Sequence, residues 1–146
     1  MESIERTPRQ VVDKAYAYVT RRAPHRLLVF EHPHSDRGFR APKGTIEPDE
    51  CPTAAVKREL HEESGLVATD ADHVVTDEWD HPRKPKTYRR HFFHVTPATV
   101  RDQWVHEAAD EGSQTGLPFR YFWTPIADPV PLDAEMDDYL PHLRTD

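Results

Sequence analysis

This chain of 146 residues is poor in cysteine and glycine and has no long hydrophobic run. Its one cysteine, Cys51, has no partner for an internal disulfide. The longest apolar run, Leu27–Phe30, is far too short to span a bilayer, and the first ten residues lack the apolar core of a secretory signal. We therefore expect a cytoplasmic protein with no membrane partner. The sequence carries no signal for a particular oligomeric state.

An excess of positive charge is also missing. The formal net charge is -7 at pH 7, which argues against nonspecific binding to phosphate backbones, so no nucleic-acid partner is expected. A small phosphorylated substrate remains compatible with this charge if a cation mediates its binding. Six Phe, five Tyr and three Trp provide enough aromatic surface for a core, and the length fits a single domain over residues 1–146.

The chain contains several runs that are rich in β-branched and aromatic residues. Such runs predict strands at Lys14–Arg22, Arg26–His32, His73–Asp80, Tyr88–Thr96 and Phe119–Ile126. The first two are separated by three residues only, which favours a hairpin, and a loop is expected from His32 to Pro42. Thr99–Ala109 is predicted to form either a short helix or an irregular loop. Leu132–Leu143 is predicted to form a terminal helix.

The strongest helix signal covers Pro52–Ser64. Val56 and Leu60 have helical spacing, Pro52 stands where the first helical residue should be, and Gly65 stands where a left-handed cap should be. The preceding residue, Cys51, is a weak hydrogen-bond acceptor, so a poor cap there is expected to cost about 1 kcal/mol.

Three glutamates, Glu59, Glu62 and Glu63, share one face of this predicted helix, because residues three and four apart are neighbours. Their mutual repulsion has two interpretations. They either form a solvated acidic surface or bind a divalent cation such as Mg²⁺, which prefers hard oxygen ligands. Arg58 precedes Glu59 and lies four residues before Glu62, so its guanidinium can reach a carboxylate and orient it.

The spacing upstream favours the second interpretation. The pattern Gly-x5-Glu-x7-Arg-Glu-U-x-Glu-Glu-x-Gly-U, where U is aliphatic, runs from Gly44 to Leu66. It matches the Nudix box at all nine fixed positions, and a chance match has a probability on the order of one in ten million from ordinary residue frequencies. The chain thus resembles the Nudix hydrolase family. The resemblance implies an α/β fold: an α/β/α sandwich with a mixed, curved β-sheet between helices.

The resemblance also implies roles for the residues of the box. Glu62 and Glu63 would be metal ligands, and Glu59 a ligand, a general base for water, or both. The backbone carbonyl of Lys43 would be a further ligand, and Arg58 would orient Glu59. The family uses Mg²⁺, with Mn²⁺ as a possible substitute, to hydrolyse nucleoside diphosphates linked to another moiety. Three more residues would support the box, namely Gly44, Glu50 and Gly65.

Members of the family often add one acidic residue from a distant loop as a ligand or base. The candidates here are Glu107, Asp110 and Glu111. We favour Glu111 as a catalytic residue, because Gly112 follows it in a segment expected to form a flexible loop. The alternative is ordinary solvated loop charge.

A basic segment between the third and fourth predicted strands offers a way to bind phosphates. Its basic residues are Arg83, Lys84, Lys86, Arg89 and Arg90, and the first four of them are the candidate substrate-binding residues. Phe39 is a candidate for stacking on a base, as are Trp79, Phe122 and Trp123, although aromatic residues in strands usually belong to a core. A soluble loop is the alternative for the basic segment.

The sequence Pro42-Lys43-Gly44 at the entry to the box resembles that of dinucleoside polyphosphate and diphosphoinositol polyphosphate hydrolases. Together with the basic segment, this resemblance implies one of these two compounds as substrate. The alternatives are ADP-ribose, nucleotide sugars and nucleoside triphosphates. A non-catalytic Nudix-fold ligand sensor is the alternative of another class. It is disfavoured because such domains commonly lose carboxylates of the box, whereas this chain keeps all of them.

Overall fold

The computed structural model describes residues 8–22, 25–109 and 115–143. One helix, α1, spans Pro52–Ser64, as predicted. The strands are β1 Gln10–Arg21, β2 Arg26–Glu31, β3 Lys43–Thr45, β4 Ala68–Asp80, β5 Lys86–Pro97, β6 Trp104–Glu107 and β7 Pro118–Pro125. Each predicted strand is therefore present, and β3 and β6 are additional. Among the described residues, no helix has the length and apolarity that crossing a membrane requires.

The strands form one curved, mixed sheet in the order β4-β5-β1-β2-β7-β6, with β3 also paired to β1. β1 runs parallel to β5 from Gln10 to Val19. It pairs with β2 only at Thr20 and Arg21, so the sheet bends where β1 leaves β5 and meets β2. This is the mixed, curved α/β fold that the sequence predicts. The antiparallel pairing of β3 with the middle of β1 brings the start of the Nudix box onto the sheet.

The two faces of the sheet are covered by different structures. Successive side chains of a strand point to opposite faces, and Ala15 and Tyr16 accordingly belong to two separate core clusters. On the first face α1 packs through Val56 and Leu60, each contributing roughly 1.5–3 kcal/mol when fully buried. The second face is covered by the C-terminal segment, through Leu132, Met136, Leu140 and Leu143.

The prediction of a terminal α-helix over Leu132–Leu143 is wrong. The segment contains two short 3-10 helices, Asp133–Glu135 and Leu140–His142. Ala134 and Glu135 have φ angles of 51° and 57°, which a right-handed helix does not contain. On the second face of the sheet, two short 3-10 helices and the turns between them therefore take the place of the predicted α-helix.

The prediction of a helix or irregular loop over Thr99–Ala109 is wrong for residues 104–107, which form β6. This strand pairs antiparallel with β7, placing Trp104 opposite Tyr121. The two rings stack at a centroid distance of 5.1 Å, and the Trp104 indole donates a hydrogen bond to the Ser64 carbonyl. β6 is therefore fixed by contacts with β7 and with the end of α1.

The ends of α1 follow the sequence signals. Gly65 has a φ of 81°, and its N–H donates to the His61 carbonyl oxygen at 2.9 Å. At the other end, Cys51 precedes Pro52 and makes no side-chain cap hydrogen bond. The helix thus ends with a well-formed glycine cap and begins with a weak one.

Candidate active site

Gly44 on β3 makes room for the carboxylate of Glu59 on α1. A Cβ atom at Gly44 would lie 1.8 Å from Glu59 Cδ and 2.0 Å from Glu59 Oε2. A side chain at this position fits only if the Glu59 side chain or the strand moves, so the glycine lets the strand and the carboxylate approach closely. Glu59 is only 5% exposed, and β3 therefore forms one wall around its carboxylate.

Arg58 connects three carboxylates of the box. Its Nε and Nη2 donate to both oxygens of Glu50, at 2.7 and 2.8 Å, in a bidentate pair. Its Nη1 donates to Glu59 Oε1 at 2.7 Å and to Glu62 Oε2 at 3.2 Å, and Nη2 also reaches the Thr45 carbonyl. The hydrogen bond from Arg58 lowers the pKa of Glu50. The guanidinium thus holds Glu59 and Glu62 side by side, with Glu50 as its own anchor.

Glu63 is attached to β3. The Lys43 backbone N–H donates to Glu63 Oε1 at 2.8 Å, and the Tyr121 hydroxyl donates to the Glu63 carbonyl oxygen at the same distance. The residue is 4% exposed. Glu63 therefore lies deeper than Glu62, whose side chain is 27% exposed.

Two lysines lie near the buried carboxylates. Burial, together with the nearby charge of Lys43, lowers the pKa of Lys14 to about 8, although Glu59 and Glu63 oppose this shift. Burial also lowers the pKa of Lys43, which Glu63 again opposes. The negative charge of the box is thus partly offset by neighbouring amines.

A groove of about 610 Å³ opens beside the box. It is lined by Thr45, Ile46, Glu47, Pro48, Arg58, Glu59, Glu62 and Ala109. Within the part of the chain that the structure describes, no three acidic, His or Cys side chains form a complete metal site as they stand. Mg²⁺ usually takes one or two carboxylates and completes its shell with waters and substrate phosphates. The donor set of Glu59 and Glu62 at an open groove fits that requirement.

A second cavity, of about 290 Å³, lies on the other face of the sheet. We call it the basic pocket. It is lined by Tyr16, Arg37, Arg40, Lys43, Trp79, His81, Pro82, Arg83, Tyr88, Asp133, Ala134 and Met136. Lys43 lines it, and the next residue, Gly44, contacts Glu59. The two cavities therefore both adjoin β3, one at Lys43 and the other at Thr45.

Among the residues that line the basic pocket, Arg83 is a predicted substrate-binding residue, whereas Arg37, Arg40 and the Lys43 side chain were not predicted to take part. Arg37 and Arg40 lie on either side of Gly38 in the loop that precedes the box. These two basic residues so close to the box were the signal in the sequence that could have indicated an anion-binding site. In the folded chain Arg40 Nη2 lies 3.6 Å from Asp133 Oδ2, and the loop meets the C-terminal segment there. Neither contact is visible in the sequence, because the residues are far apart along the chain.

The other predicted substrate-binding residues do not line the basic pocket. Lys84 and Lys86 are linked to each other, since the Lys84 carbonyl accepts the Lys86 N–H at 2.7 Å. Arg89 forms ion pairs with acidic residues of β1 and β4. Phe39 packs edge-to-face on Phe122 at a centroid distance of 5.1 Å and lines a separate cavity.

Of the three candidate loop acids, Glu107 is exposed at the end of β6. Asp110 and Glu111 lie outside the described residues. The Ala109 N–H donates to the Glu62 carbonyl oxygen at 3.0 Å. Ala109, which also lines the groove, is therefore attached to the C-terminal half of α1.

Comparison with known proteins identifies the same family over most of the chain. The family model described as NUDIX domain matches residues 12–143. No curated protein matches the sequence.

Solved structures share the fold at low sequence identity. A MutT NUDIX hydrolase from Burkholderia pseudomallei aligns with a TM-score of 0.69 at 17% identity, covering 92% of this chain and 99% of its own. The MutT protein from Methanosarcina mazei Go1 aligns with a TM-score of 0.65 at 19% identity, covering 95% and 94%. A UDP-X diphosphatase aligns with a TM-score of 0.64 at 14% identity, covering 96% of this chain and 63% of its own.

The structural similarities support the fold, and the family match spans the whole box together with the sheet that surrounds it. The predicted family is therefore confirmed: this chain belongs to the Nudix family and is a Nudix pyrophosphohydrolase by class.

Proposed function

We propose that this enzyme uses Mg²⁺ to hydrolyse a phosphoanhydride bond in a nucleoside diphosphate linked to another moiety. The observation that carries the proposal is the arrangement of Arg58, Glu59 and Glu62 at the groove, with Gly44 leaving space for Glu59. When bound, a divalent ion would neutralise part of the negative charge of the phosphates and lower the pKa of a water molecule that it binds. The cytoplasmic location and the single-domain organisation stay predictions.

The residues of the box have different proposed roles in the reaction. Glu62 and Glu59 would hold the ion from the groove, with Glu63 and the Lys43 carbonyl as further ligands. Glu59 also takes the proton from the attacking water, an effect typically worth about 10²–10⁴ in rate. Arg58 holds Glu59 in one orientation through the 2.7 Å hydrogen bond. Because its other donors engage Glu50 and Thr45, the guanidinium is itself immobilised.

We propose that the basic pocket binds a second phosphate-bearing part of the substrate. Arg37, Arg40 and Arg83 contribute three guanidinium groups to its lining, beside the amine of Lys43, whose pKa burial lowers, against one carboxylate, that of Asp133. Arginine and lysine at this density suit an anion with several phosphates. This favours a dinucleoside polyphosphate or a diphosphoinositol polyphosphate over a substrate with a neutral second half.

The alternative substrates are ADP-ribose, nucleotide sugars and nucleoside triphosphates. They gain support from the rings of Trp79 and Tyr88, which lie in the same pocket with centroids 5.7 Å apart and can stack on a base. They also agree with the activity that gives the UDP-X diphosphatase, which shares the fold, its name. A non-catalytic ligand sensor is disfavoured, because every carboxylate of the box is present.

The test is an assay of the purified chain with Mg²⁺ or Mn²⁺ on all of these substrates, with the products identified. We expect turnover of at least one polyphosphate that depends on the divalent ion and is lost on chelation. Turnover confined to nucleotide sugars or ADP-ribose would favour the alternative substrates. No turnover of any compound, with ligand binding retained, would favour the sensor.

A further inference from the structure

Arg90 is a buried charge that lies away from the Nudix box. On β5 it is 1% exposed, and it forms a bidentate pair with Asp77 of β4, through Nε at 2.8 Å and Nη2 at 2.6 Å. Nη2 also donates to Asp138 Oδ2 at 3.2 Å. Although burial raises the pKa of Asp77, hydrogen bonds from Arg90 and Tyr139 hold it below its ordinary value. The pair is therefore ionised in the folded protein.

Aromatic rings surround this guanidinium. Its Cζ lies 5.0 to 6.0 Å from the ring centroids of Tyr16, Trp79, Phe92 and Tyr139. Burying a charge is unfavourable unless it is fully paired, so such a group is often less stabilising than an apolar replacement would be. We therefore look for the function of this buried arginine in the backbone conformation that its hydrogen bonds fix.

The geometry that Arg90 fixes is a turn in the C-terminal segment. Its Nη1 donates to the carbonyl oxygens of Ala134 and Glu135, both at 3.3 Å. These two residues have φ angles of 51° and 57°, a conformation that residues other than glycine seldom adopt. The Trp79 indole donates to Glu135 Oε1 at 3.2 Å and holds the same turn from its other side.

This turn is a wall of the basic pocket. Asp133, Ala134 and Met136 line the pocket, whereas Arg90 does not. We propose that Arg90 is a positioning residue for substrate affinity: it fixes residues 133–136 in the shape that the pocket requires, without contacting the substrate. The inference rests on the proposed function only in taking the basic pocket as the place where the substrate binds.

The test compares Arg90→Lys with the wild type. Lysine keeps the charge but has one ammonium group instead of a fork, so it does not reach Asp77, Asp138 and the two turn carbonyls together. We expect KM to rise at least about tenfold, the loss typical of one charge-assisted contact, with kcat within about threefold of the wild type. Arg21→Lys is the matched control, because Arg21 pairs with Asp102 and lies over the Trp123 ring, away from both cavities of the site.

A second pair of variants serves if Arg90→Lys does not fold. Asp138→Asn removes the charge of one acceptor of Arg90, and Tyr139→Phe removes the hydroxyl that donates to Asp77; both leave the pocket lining intact. Each is expected to raise KM by about threefold with kcat unchanged, as the loss of one net hydrogen bond would. An unchanged KM in folded variants would overturn the proposal, as would a loss confined to kcat.

Binding without turnover separates this inference from the proposed function. Calorimetric titration with inorganic tripolyphosphate in EDTA reports on the cationic pocket alone, since the box carboxylates repel the anion when no metal is present. We expect Arg90→Lys to bind at least about tenfold more weakly than the wild type. If no substrate of the panel is hydrolysed but this difference holds, the proposed function fails and the positioning role stands. If the protein hydrolyses no substrate, the positioning role of Arg90 would be overturned by either of two results. One is equal affinity of wild type and Arg90→Lys for tripolyphosphate, and the other is no binding of tripolyphosphate to the wild type.

Discussion

The carboxylate of Glu59 occupies the space that a side chain on Gly44 would need, with Cδ 1.8 Å from the position of the missing Cβ. This relationship explains why the box begins with glycine, although Gly44 lies in a strand and has no left-handed φ angle. The requirement is space for a catalytic side chain. It follows that even the smallest substitution at Gly44 acts on Glu59.

Gly44→Ala is therefore expected to displace Glu59 or β3. Since a misplacement of about 1 Å can reduce catalysis by about a hundredfold, we expect kcat to fall by that order. The measurement is steady-state turnover alongside circular dichroism. Gly116→Ala is the control, because nothing lies within 4 Å of a Cβ there, although its φ of 82° is expected to cost some stability. Wild-type turnover in Gly44→Ala would show that the contact is without catalytic importance.

Glu59→Gln tests the proposed base directly. The amide keeps the size of the side chain but takes no proton from water, so kcat is expected to fall by at least about a hundredfold with the fold intact. Steady-state turnover is measured at saturating Mg²⁺, to separate this loss from weaker metal binding. Glu31→Gln, an exposed change at the end of β2, is the control and should leave turnover unchanged. Normal turnover in folded Glu59→Gln would remove Glu59 from the mechanism.

Glu62 and Glu63 are proposed as metal ligands with different surroundings. Glu62→Gln and Glu63→Gln should each weaken Mn²⁺ or Mg²⁺ binding by at least about tenfold, which calorimetric titration of the metal detects without any substrate. Glu62 lines the open groove, whereas the Glu63 carboxylate accepts the Lys43 N–H. A neutral Gln amide oxygen accepts this N–H more weakly than a carboxylate does, so Glu63→Gln should also lower the melting temperature. Titrations that superimpose on the wild type would contradict both assignments.

Helix α1 shows why some of the fold was predictable. Its bounds, Pro52 to Ser64, follow from signals within the segment itself, namely the proline, the helical spacing and the glycine cap. The spacing of the box residues similarly identified the cluster around Arg58, because a helix alone brings residues 58, 59 and 62 together.

The missed features depend on contacts between distant parts of the chain. β6 has only four residues and is stabilised by its pairing with β7 and by the hydrogen bond from Trp104 to the end of α1. The conformation of the C-terminal segment depends on Arg90, whose hydrogen bonds to Ala134 and Glu135 join residues 44 and 45 positions apart in the sequence. The basic pocket likewise joins Arg37 and Arg83, which only the sheet brings together.

Cys51 offers a stability prediction outside the catalytic cluster. The residue is exposed at the N-cap of α1 and makes no side-chain cap hydrogen bond. In Cys51→Thr the hydroxyl can accept a backbone N–H of the first turn, so the free energy of unfolding should rise by about 1 kcal/mol. Urea denaturation measures the change. Cys51→Ala is the control without an acceptor, and equal stability of the two variants would show that the cap contributes nothing.

The Asp77–Arg90 pair predicts a specific dependence of stability on pH. The pKa of Asp77 is lower in the folded protein than in the unfolded chain, so its contribution is present in full above pH ~4, the ordinary pKa of aspartate. It is lost as the pH falls through the lower pKa of the folded state. Asp77→Asn should therefore reduce the free energy of unfolding by about 3 kcal/mol at pH 7, because it leaves a buried guanidinium partly unpaired.

Urea denaturation at pH 7 and again in acid, down to pH ~2, tests this dependence, with the acid point set below the ordinary aspartate pKa of about 3.9. The difference between wild type and Asp77→Asn should shrink steadily as Asp77 becomes protonated in the folded wild type. Asp70→Asn, an exposed change on the same strand, should show little difference at either end of the range. A loss for Asp77→Asn that is the same at every pH would mean that packing, and not the charge of Asp77, holds Arg90 and the turn at residues 133–136 in place.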